Sequence, residues 1–463
     1  MMTTDRNFRV SLPYRKPGAR LVKGSTLVAN LTSSRFLLRR DDRFRWLPIA
    51  ILGAIAFLAA IGYSLPSILL QPTKADLRMT DTEIGLINGL AITIVGAVAA
   101  FPIGWAADRF GRRRVLALCI LIWSAFVGVM AFSQSVITFA IGAVGFNLGD
   151  AALLPLIYGI LAATFHGKQR DTANAMLVSL LLVGSFGVYA VGGGMLEFFA
   201  RHSWVGLAPW RLTCLTVAVM GPFAAALLVW VPNPSQPALP QAIATANADE
   251  TFLAYLRRHG GFLFLLMAGN SLYFTAFTVF MFWAPAVLER AFGMPADQAN
   301  SALGLYLTFA SIAAIALTFA VLPRFTARWT HSAPLIMVVA GCLIVLIPAA
   351  GLLIVDSAFQ FLIAASAIAF GMSIAMMLAP GLMQSCAPDR FRSRTIALFP
   401  LFAGLMRIVQ PALVGGLSTY LGETGDVLLT ILAVLMIVSF GASVVILTLL
   451  SGRYSRLAQQ NAD

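Results

Sequence analysis

Charged residues are scarce in this chain. Of its 463 residues, 11% are charged and 59% are hydrophobic, and the mean hydropathy is +0.85. A water-soluble domain of this composition would expose large apolar patches and aggregate. In lipid, backbone polar groups need partners within the protein, which leaves helices or closed barrels. The apolar stretches are about 20 residues or longer, so they match membrane-spanning helices rather than barrel strands.

Cysteine and histidine are also rare, with four of each. The cysteines lie inside apolar stretches or at their ends, which indicates packing residues rather than a disulfide framework. The histidines are far apart and show no metal-ligand spacing. The sequence therefore predicts no metal and no cofactor. The residues concerned are Cys119, Cys214, Cys342, Cys386, His166, His202, His259 and His331.

Signatures of catalysis and of ATP use are absent from the sequence. It contains no phosphate-binding loop of the Gly-x-x-x-x-Gly-Lys-Ser/Thr type and no catalytic triad, so we predict that the protein is neither an enzyme nor ATP-driven. Residues 1–45 are too long, polar and arginine-rich for a signal peptide. We expect them to form a basic cytoplasmic tail.

The positive charge is distributed unevenly. Of the 32 lysines and arginines, 26 fall on the side of the two termini, five on the other side, and Arg407 within a span. This asymmetry predicts a multi-pass protein of the plasma (inner) membrane with both termini in the cytoplasm. The net charge of +13 then reflects topology and does not predict nucleic-acid binding.

Twelve apolar spans predict an all-α membrane protein. A polar, proline-rich stretch after the sixth span divides them into two six-helix halves. The predicted organisation is tail 1–45, first half 46–231, cytoplasmic linker 232–260, second half 261–450 and cytoplasmic tail 451–463. The predicted spans are 46–70, 84–107, 115–132, 136–165, 172–196, 212–231, 261–288, 299–323, 333–355, 358–385, 395–420 and 426–450.

The two halves show traces of an internal repeat. Matching residues recur at an offset of 219 early in each half and of 222 to 223 later. A nearly constant offset predicts two pseudo-symmetric halves that arose by duplication. The matches are Leu65-Pro66 with Ala284-Pro285, Gly85-Leu86 with Gly304-Leu305, Arg170 with Arg392, and Gly192-Gly193 with Gly415-Gly416.

A dense basic turn joins the second and third spans. Its sequence is Gly104-x-x-x-Asp108-Arg109-x-Gly111-Arg112-Arg113. It resembles the loop 2–3 signature of the major facilitator superfamily. The resemblance implies the major facilitator fold, and a latch of Gly104, Asp108, Arg109, Gly111 and Arg112 that closes the cytoplasmic side. The alternative is that the arginines only set the topology.

The first half resembles the Spinster-like branch of that superfamily. The similar stretches are Pro72-Thr73-Lys74-Ala75-Asp76-Leu77, Ile84-Gly85-Leu86-Ile87-Asn88-Gly89-Leu90 and Gly145-Phe146-Asn147-Leu148-Gly149-Asp150-Ala151. The branch implies a lipid-like or amphipathic organic anion as substrate. It often carries an adjacent Asp-Arg pair in the first span, where this chain has Gly62 and Tyr63. The proton-coupling network expected from the branch is therefore incomplete.

Two charged residues lie near the middle of spans. Asp150 is predicted to carry protons, because a mid-membrane carboxylate is costly unless it is neutral, paired or wet. The alternative is a protonated Asp150 that bonds a neighbouring helix. Arg407 cannot readily neutralise itself. We expect it to pair with Asp150 in one state and with an anionic substrate in another; the alternative is a fixed structural pair. Among the uncharged polar residues, Asn147, Gln410 and Tyr63 are predicted to contribute to the same site.

These features predict a secondary active transporter of a small organic solute, amphipathic or anionic, that works by proton-coupled alternating access. The expected partners are the solute, a proton or other ion gradient and membrane lipids, and the expected state is a monomer. The alternatives are a drug or metabolite efflux antiporter, a receptor or scaffold that no longer transports, and a passive channel.

Overall fold

The structure is a computed structural model. It describes residues 46–151, 153–165, 168–202, 206–232, 252–329, 332–387, 395 and 398–460, and within them every regular element is helical. The predicted tail 1–45 and residues 233–251 of the predicted linker lie outside the described residues.

The first half contains the helices that we number α1 to α6. A short helix, Leu70–Leu77, follows α1. The second span, α2, consists of three consecutive segments, the middle one a π-helical turn. The bounds are α1 Leu47–Ile68, α2 Asp81–Leu86, Ile87–Ala91 and Ile92–Phe110, α3 Arg112–Ala131, α4 Val136–Asp150 and Leu153–Thr164, α5 Lys168–Arg201 and α6 Pro209–Leu227.

The second half contains α7 to α12. Apart from α2, every one of the twelve is long and apolar enough to cross a membrane. The twelve-helix fold class predicted from the sequence is confirmed. The bounds are α7 Phe252–Phe292, α8 Ala296–Trp329, α9 Ala333–Gly351, α10 Ala358–Ser385, α11 Phe399–Leu421 and α12 Gly425–Gln460.

Two helices run into the segments that the sequence assigns to the linker and to the C-terminal tail. Helix α7 begins at Phe252, inside the predicted linker, and α12 ends at Gln460, inside the predicted tail. Both extensions carry buried tyrosines. The hydroxyl of Tyr255 donates to the carbonyl oxygen of Cys386 at 2.8 Å, and the hydroxyl of Tyr454 lies 2.8 Å from Ser385 Oγ. Packing on the end of α10 therefore keeps these polar segments helical.

The halves meet where α2 crosses α11. A Cβ added at Gly85 would overlap the carbonyl oxygen of Pro411, and one added at Gly415 would overlap the carbonyl oxygen of Asp81. The two backbones are thus in direct contact. Small residues allow this approach in lipid, where helices associate by close packing rather than by the hydrophobic effect.

A second crossing joins α5 of the first half to α8 of the second. A Cβ at Gly304 would overlap the backbone of Ala190, and one at Gly193 would overlap Ser301. Gly85 and Gly304 are 219 residues apart, and Gly193 and Gly415 are 222 apart, so the two crossings are equivalent in the repeat. The structure pairs Gly415 with Gly193 rather than with Gly192, which faces Ile68 of its own half.

The contact at Gly415 makes a prediction about stability. Replacing Gly415 with alanine should lower the melting temperature of the purified protein, because the added methyl forces α2 and α11 apart at a cost of about 1–3 kcal/mol. The matched control is Gly416→Ala, where a Cβ meets no atom within 4 Å. Alanine there should be neutral or stabilising by up to about 1 kcal/mol. Equal melting temperatures for the two variants would contradict the crossing.

Candidate functional site

The mid-span arginine contacts a tyrosine of the opposite half. Nη2 of Arg407, in α11, donates to the hydroxyl of Tyr63, in α1, at 2.5 Å. The guanidinium carbon also lies 5.5 Å from the centre of the Tyr63 ring. Tyr63 is 43% exposed although it lies within a span. The pair therefore joins the halves beside accessible space, and its positive charge is held by a neutral partner.

Asp150 lies at the end of the first segment of α4 and is partly exposed. The charge of Arg407 acts on it electrostatically. In the described residues, however, no hydrogen bond or ion pair joins Asp150 to Arg407. The direct pair expected for one state is thus not formed in this one, where Arg407 binds Tyr63 instead.

The two predicted polar neighbours are buried. Nδ2 of Asn147 donates to the carbonyl oxygen of Ala143 in its own helix at 2.9 Å. Gln410, in α11, is buried, and its Oε1 has no hydrogen-bond partner among the described residues. The structure therefore brings Tyr63, Arg407 and Asp150 near one another, whereas it places Asn147 in helix packing. A role for either amide in transport remains a prediction.

The glycine that replaces the acid of the Spinster-like pair has a steric reason. A Cβ at Gly62 would overlap the indole ring of Trp123, in α3. Trp123 is fully buried, and its Nε1 has no partner. A bulky aromatic ring thus occupies the space that an acidic side chain at position 62 would need, which explains the incomplete pair in α1.

The basic turn is fastened to the first half. Nη1 of Arg112 donates to the carbonyl oxygen of Gly159 in α4 at 2.9 Å, and Nη1 of Arg113 donates to that of Val231, after α6, at 3.0 Å. Gly111 has a φ of 92°, a left-handed conformation that favours glycine. The turn is therefore built as a rigid connection within its own half.

The remaining latch residues are exposed at the same turn. The guanidinium of Arg109 lies 5.7 Å from the ring centre of Trp105. Asp108 is exposed at the end of α2, and a Cβ at Gly104 would meet no atom within 4 Å. The start of α11 is one expected partner of Asp108. Residues 388–394 and 396–397, just before α11, lie outside the described residues. The latch therefore remains a prediction.

At the opposite end of the bundle, charges from the two halves form a buried cluster. We call Lys74, Asp81, Arg290 and Glu423 the four-charge cluster. Arg290 binds Asp81 through Nη1 at 2.5 Å and Nη2 at 2.8 Å. Lys74 bonds Asp81 at 2.6 Å and also pairs with Glu423. Lys74 and Asp81 belong to the first half, whereas Arg290 and Glu423 belong to the second.

Hydrogen bonds complete the surroundings of Asp81, whose side chain is 0% exposed. Ser418 Oγ donates to the carboxylate of Asp81 at 2.6 Å. The backbone N–H of Asp81 donates to Glu423 Oε1 at 2.9 Å. Burial alone raises the pKa of Asp81, but the hydrogen bond and charge of Arg290, with help from Lys74 and Ser418, outweigh it and hold the pKa below its ordinary value of 3.8. Both members of the pair are therefore charged.

A second set of contacts between the halves lies more than two turns of α7 from Arg290. Pro285 of α7 has no N–H, so it leaves the carbonyl oxygen of Met281 without its helical donor. Tyr189 donates its hydroxyl to this oxygen at 3.1 Å, and Ser67 Oγ donates to the carbonyl oxygen of Phe282 at 2.7 Å. Pro285 thus frees the Met281 oxygen, and the first half supplies a donor to it.

The contacts between halves are concentrated at this end. Ser67, one turn above Tyr63 on α1, is 2% exposed, while Tyr63 is 43% exposed. Three sets of contacts lie on the Asp81 side of Tyr63. They are the glycine crossings, the bonds to the carbonyl oxygens of Met281 and Phe282, and the four-charge cluster. The Asp81 end is therefore closed, and Tyr63 and Arg407 lie beyond these contacts, towards the end that carries the basic turn.

Sequence reasoning missed the four-charge cluster, although a signal was present. Five basic residues fall on the side opposite the termini, against the general asymmetry. In the structure four of them form ion pairs with carboxylates. These are Lys74, Arg201, Arg211 and Arg290. In this chain, a basic residue on the side opposite the termini was thus a sign of a nearby carboxylate.

The comparisons with known proteins agree with this architecture. The family model of the Major Facilitator Superfamily matches residues 52–411. The chain belongs to the major facilitator superfamily. The family predicted from the basic turn is confirmed, and the chain is a membrane transporter by family rather than an enzyme.

Two bacterial transport proteins are similar to this chain, one over most of its length and the other over about half. An "MFS-type efflux pump" of Mycolicibacterium smegmatis is 27% identical over 428 residues, which cover 90% of this chain and 95% of that protein. A "Cis,cis-muconate transport protein" of Acinetobacter baylyi is 26% identical over 248 residues, or 53% of this chain and 57% of that one.

Solved structures share the fold. An inward-facing, unoccupied bacterial homologue of the human lysosomal transporter Spinster has a TM-score of 0.68 at 19% identity, and the match covers 90% of this chain and 98% of that one. A D-xylose–proton symporter has a TM-score of 0.64 at 15% identity, covering 86% and 97%. At these identities the likeness establishes the fold alone.

The four-charge cluster predicts the effect of Arg290→Gln. Removing one member of a buried ion pair costs about 3–5 kcal/mol, so the Asp81 end should open more often. A membrane-impermeant thiol reagent added on that side should label a Ser67→Cys reporter at least about tenfold faster in this variant.

The matched control for this experiment is Arg201→Gln. The pair of Arg201 with Glu197 lies on the same side, but its side chains are 72% and 41% exposed, so its loss should leave labelling unchanged. If Arg290→Gln and Arg201→Gln were labelled at the same rate, the cluster would not be what closes this end.

The cluster also predicts how stability depends on pH. Burial opposes ionisation of Glu423 as well, but Lys74 and two hydrogen bonds hold the pKa of Glu423 below its ordinary value of 4.5. A carboxylate with a lowered pKa stabilises the closed end above its ordinary pKa, and this contribution is lost as pH falls through the lowered value. The melting temperature of the wild type should exceed that of Asp81→Asn by a constant amount from about pH 5 to 8, and the difference should begin to fall only below about pH 4, as the pH approaches the lowered pKa. A difference that disappears near pH 6 would contradict the lowered pKa.

Proposed function

We propose that this superfamily member is a secondary active transporter that moves an amphipathic or anionic organic solute by proton-coupled alternating access. The observation that carries the proposal is Arg407. It is a mid-span cation beside accessible space, and its hydrogen-bond partner, Tyr63, is neutral and belongs to the other half. A charge in this environment is costly unless a counter-charge arrives, and an anionic solute supplies one.

The proposed orientation follows from the basic residues. With the basic turn and both termini in the cytoplasm, the closed Asp81 end faces outward and the structure represents an inward-facing state. The membrane is the plasma (inner) membrane, and the working unit is a monomer surrounded by lipid. The six-helix halves 46–231 and 261–450 rock about the mid-span site, as is general for this kind of repeat.

Asp150 is the proposed proton carrier. It lies mid-membrane within the electrostatic reach of Arg407 but makes no ion pair with it. When a solute anion occupies Arg407, the positive charge that favours the ionised carboxyl of Asp150 is reduced. Proton uptake by Asp150 and solute binding by Arg407 then depend on each other. Asn147 and Gln410, each three residues from one of these charges, are proposed to contribute to the same site.

The alternative function is an efflux antiporter for drugs or metabolites. The full-length similarity to a protein named as an MFS-type efflux pump favours it. The relative named for transport of cis,cis-muconate agrees instead with a small organic solute. A receptor or scaffold with this fold, and a passive channel, remain the other possibilities. The substrate panel below distinguishes them.

Transport in proteoliposomes tests the proposal. The wild type, Asp150→Asn, Arg407→Ala and Tyr63→Phe are compared under an imposed proton gradient, with lysolipids, organic acids and cationic dyes as candidate solutes. We expect saturable transport of an anionic solute that loses its dependence on the gradient in Asp150→Asn. Transport in Arg407→Ala should fall at least about tenfold, because a hydrogen bond to a charged group contributes about 1.5–3 kcal/mol.

The variant Tyr63→Phe separates the two roles of the mid-span pair. It keeps the ring against Arg407 and removes only the hydroxyl, so solute affinity should change by less than about tenfold. Wild-type rates in both Arg407→Ala and Asp150→Asn would refute the proposed mechanism. Transport restricted to cationic dyes would favour the efflux antiporter, and intact protein that transports nothing would favour the receptor.

A further inference from the structure

The carboxylate of Asp81 is bound as proteins bind a carboxylate ligand. Arg290 presents both Nη atoms to its two oxygens, at 2.5 and 2.8 Å, and Ser418 Oγ donates at 2.6 Å. A guanidinium fork with a hydroxyl donor is a strong and geometrically specific arrangement for a carboxylate. Both donors belong to the second half, and the carboxylate belongs to the first.

Alternating access must separate these groups. When the halves part at this end, Asp81 leaves with Lys74, which still neutralises it through their 2.6 Å contact. Arg290 stays with Ser418 and loses the acceptors of both Nη atoms at once. A guanidinium that is 11% exposed in the closed state is then left without its counter-charge. The opening therefore creates an empty anion site on the second half.

Among the described residues, no hydrogen bond or ion pair joins Arg290 to an acidic residue of its own half. Glu423 is held by Thr419 Oγ1 at 2.8 Å, and Glu423 has a φ of 55°, which fixes it in the turn between α11 and α12. Glu289 and Arg290 interact electrostatically, but side chains at adjacent positions of a helix point in different directions. Asp297 acts on Glu289, its neighbour across the turn to α8.

We propose that Arg290 and Ser418 form a carboxylate-binding site that Asp81 fills when this end is closed, and that the carboxylate of a solute fills when it is open. This inference rests on the proposed function, because it requires alternating access and an anionic solute. It adds a second cation to the transport path, on the outer side of Arg407. The internal carboxylate of Asp81 and the external one compete, so solute arrival favours the open end and solute departure favours its closure.

Binding of benzoate to the purified full-length protein tests this site. In Asp81→Asn the internal ligand is replaced by an uncharged side chain of the same shape. Calorimetry should show benzoate binding at least about tenfold tighter than to the wild type, where Asp81 occupies the site. Trp283 lies 5.9 Å from the Arg290 guanidinium and provides a fluorescence signal for the same event. Binding should be lost in Asp81→Asn/Arg290→Gln.

The control variant separates this inference from the proposed function. Asp81→Asn/Arg407→Gln should still bind benzoate. If binding is lost there but kept in Asp81→Asn/Arg290→Gln, the anion site is at Arg407 and the inference is wrong, while the proposed function stands. Binding of inorganic phosphate in preference to benzoate would overturn the assignment to carboxylates.

A second variant covers the case in which Asp81→Asn does not fold. Asp81→Ala leaves a cavity beside Arg290 and Ser418 that a formate ion can fill. Formate should raise the melting temperature of Asp81→Ala and leave that of Arg290→Gln unchanged. If formate stabilises neither variant, or both equally, the site does not bind free carboxylates and the inference fails.

Discussion

The ion pair between Asp81 and Arg290 is the interaction on which the closed end depends. Asp81 is fully buried and the side chain of Arg290 is 11% exposed, and each charge is supplied by a different half, so the pair forms only where the halves meet. The backbone contact of Gly415 with Asp81 brings the two helices close enough to form the pair, and the pair in turn satisfies the start of α2. Close packing and charge pairing are therefore mutually dependent: removing the small residue would leave the charges unpaired, and removing a charge would leave the packed interface with a buried ion.

The charges in the two regions are balanced differently. In the four-charge cluster each half carries one cation and one carboxylate, but only Lys74 and Asp81 are bonded within one half, so parting of the halves leaves Arg290 without its carboxylate. At mid-span the cation of Arg407 belongs to the second half and the carboxyl of Asp150 to the first, and in this state they are not bonded to each other. A balanced cluster suits a contact that must form and break in every cycle. An unbalanced cation suits a site that waits for a ligand.

Much of this architecture could be predicted from the sequence, because lipid imposes simple rules. Span length, the asymmetry of basic residues and the repeat predicted twelve helices in two halves, and the resemblance of the basic turn to a known signature predicted the family. The ends of α7 and α12 could not be predicted, since tertiary contacts of Tyr255 and Tyr454 keep polar segments helical there. Among the site residues, Tyr63 and Arg407 were singled out separately, but their mutual contact depends on how far the halves are closed. Asp81 and Arg290 lie 209 positions apart, and nothing local shows that they meet.

The repeat explains why the two crossings can behave differently. By the offset of 219, the position equivalent to Asp81 is Asn300. Both side chains reach across between the halves, but Asn300 donates a neutral amide hydrogen bond to the carbonyl oxygen of Ile68 at 3.1 Å, whereas Asp81 accepts from two cations. A neutral hydrogen bond costs little to break and does not respond to the charge of an arriving solute. The ionic contact costs more to break and does respond to that charge. Duplication thus supplied two equivalent glycine contacts. The divergence of one residue pair concentrated the electrostatic control of this end at the crossing of α2 with α11.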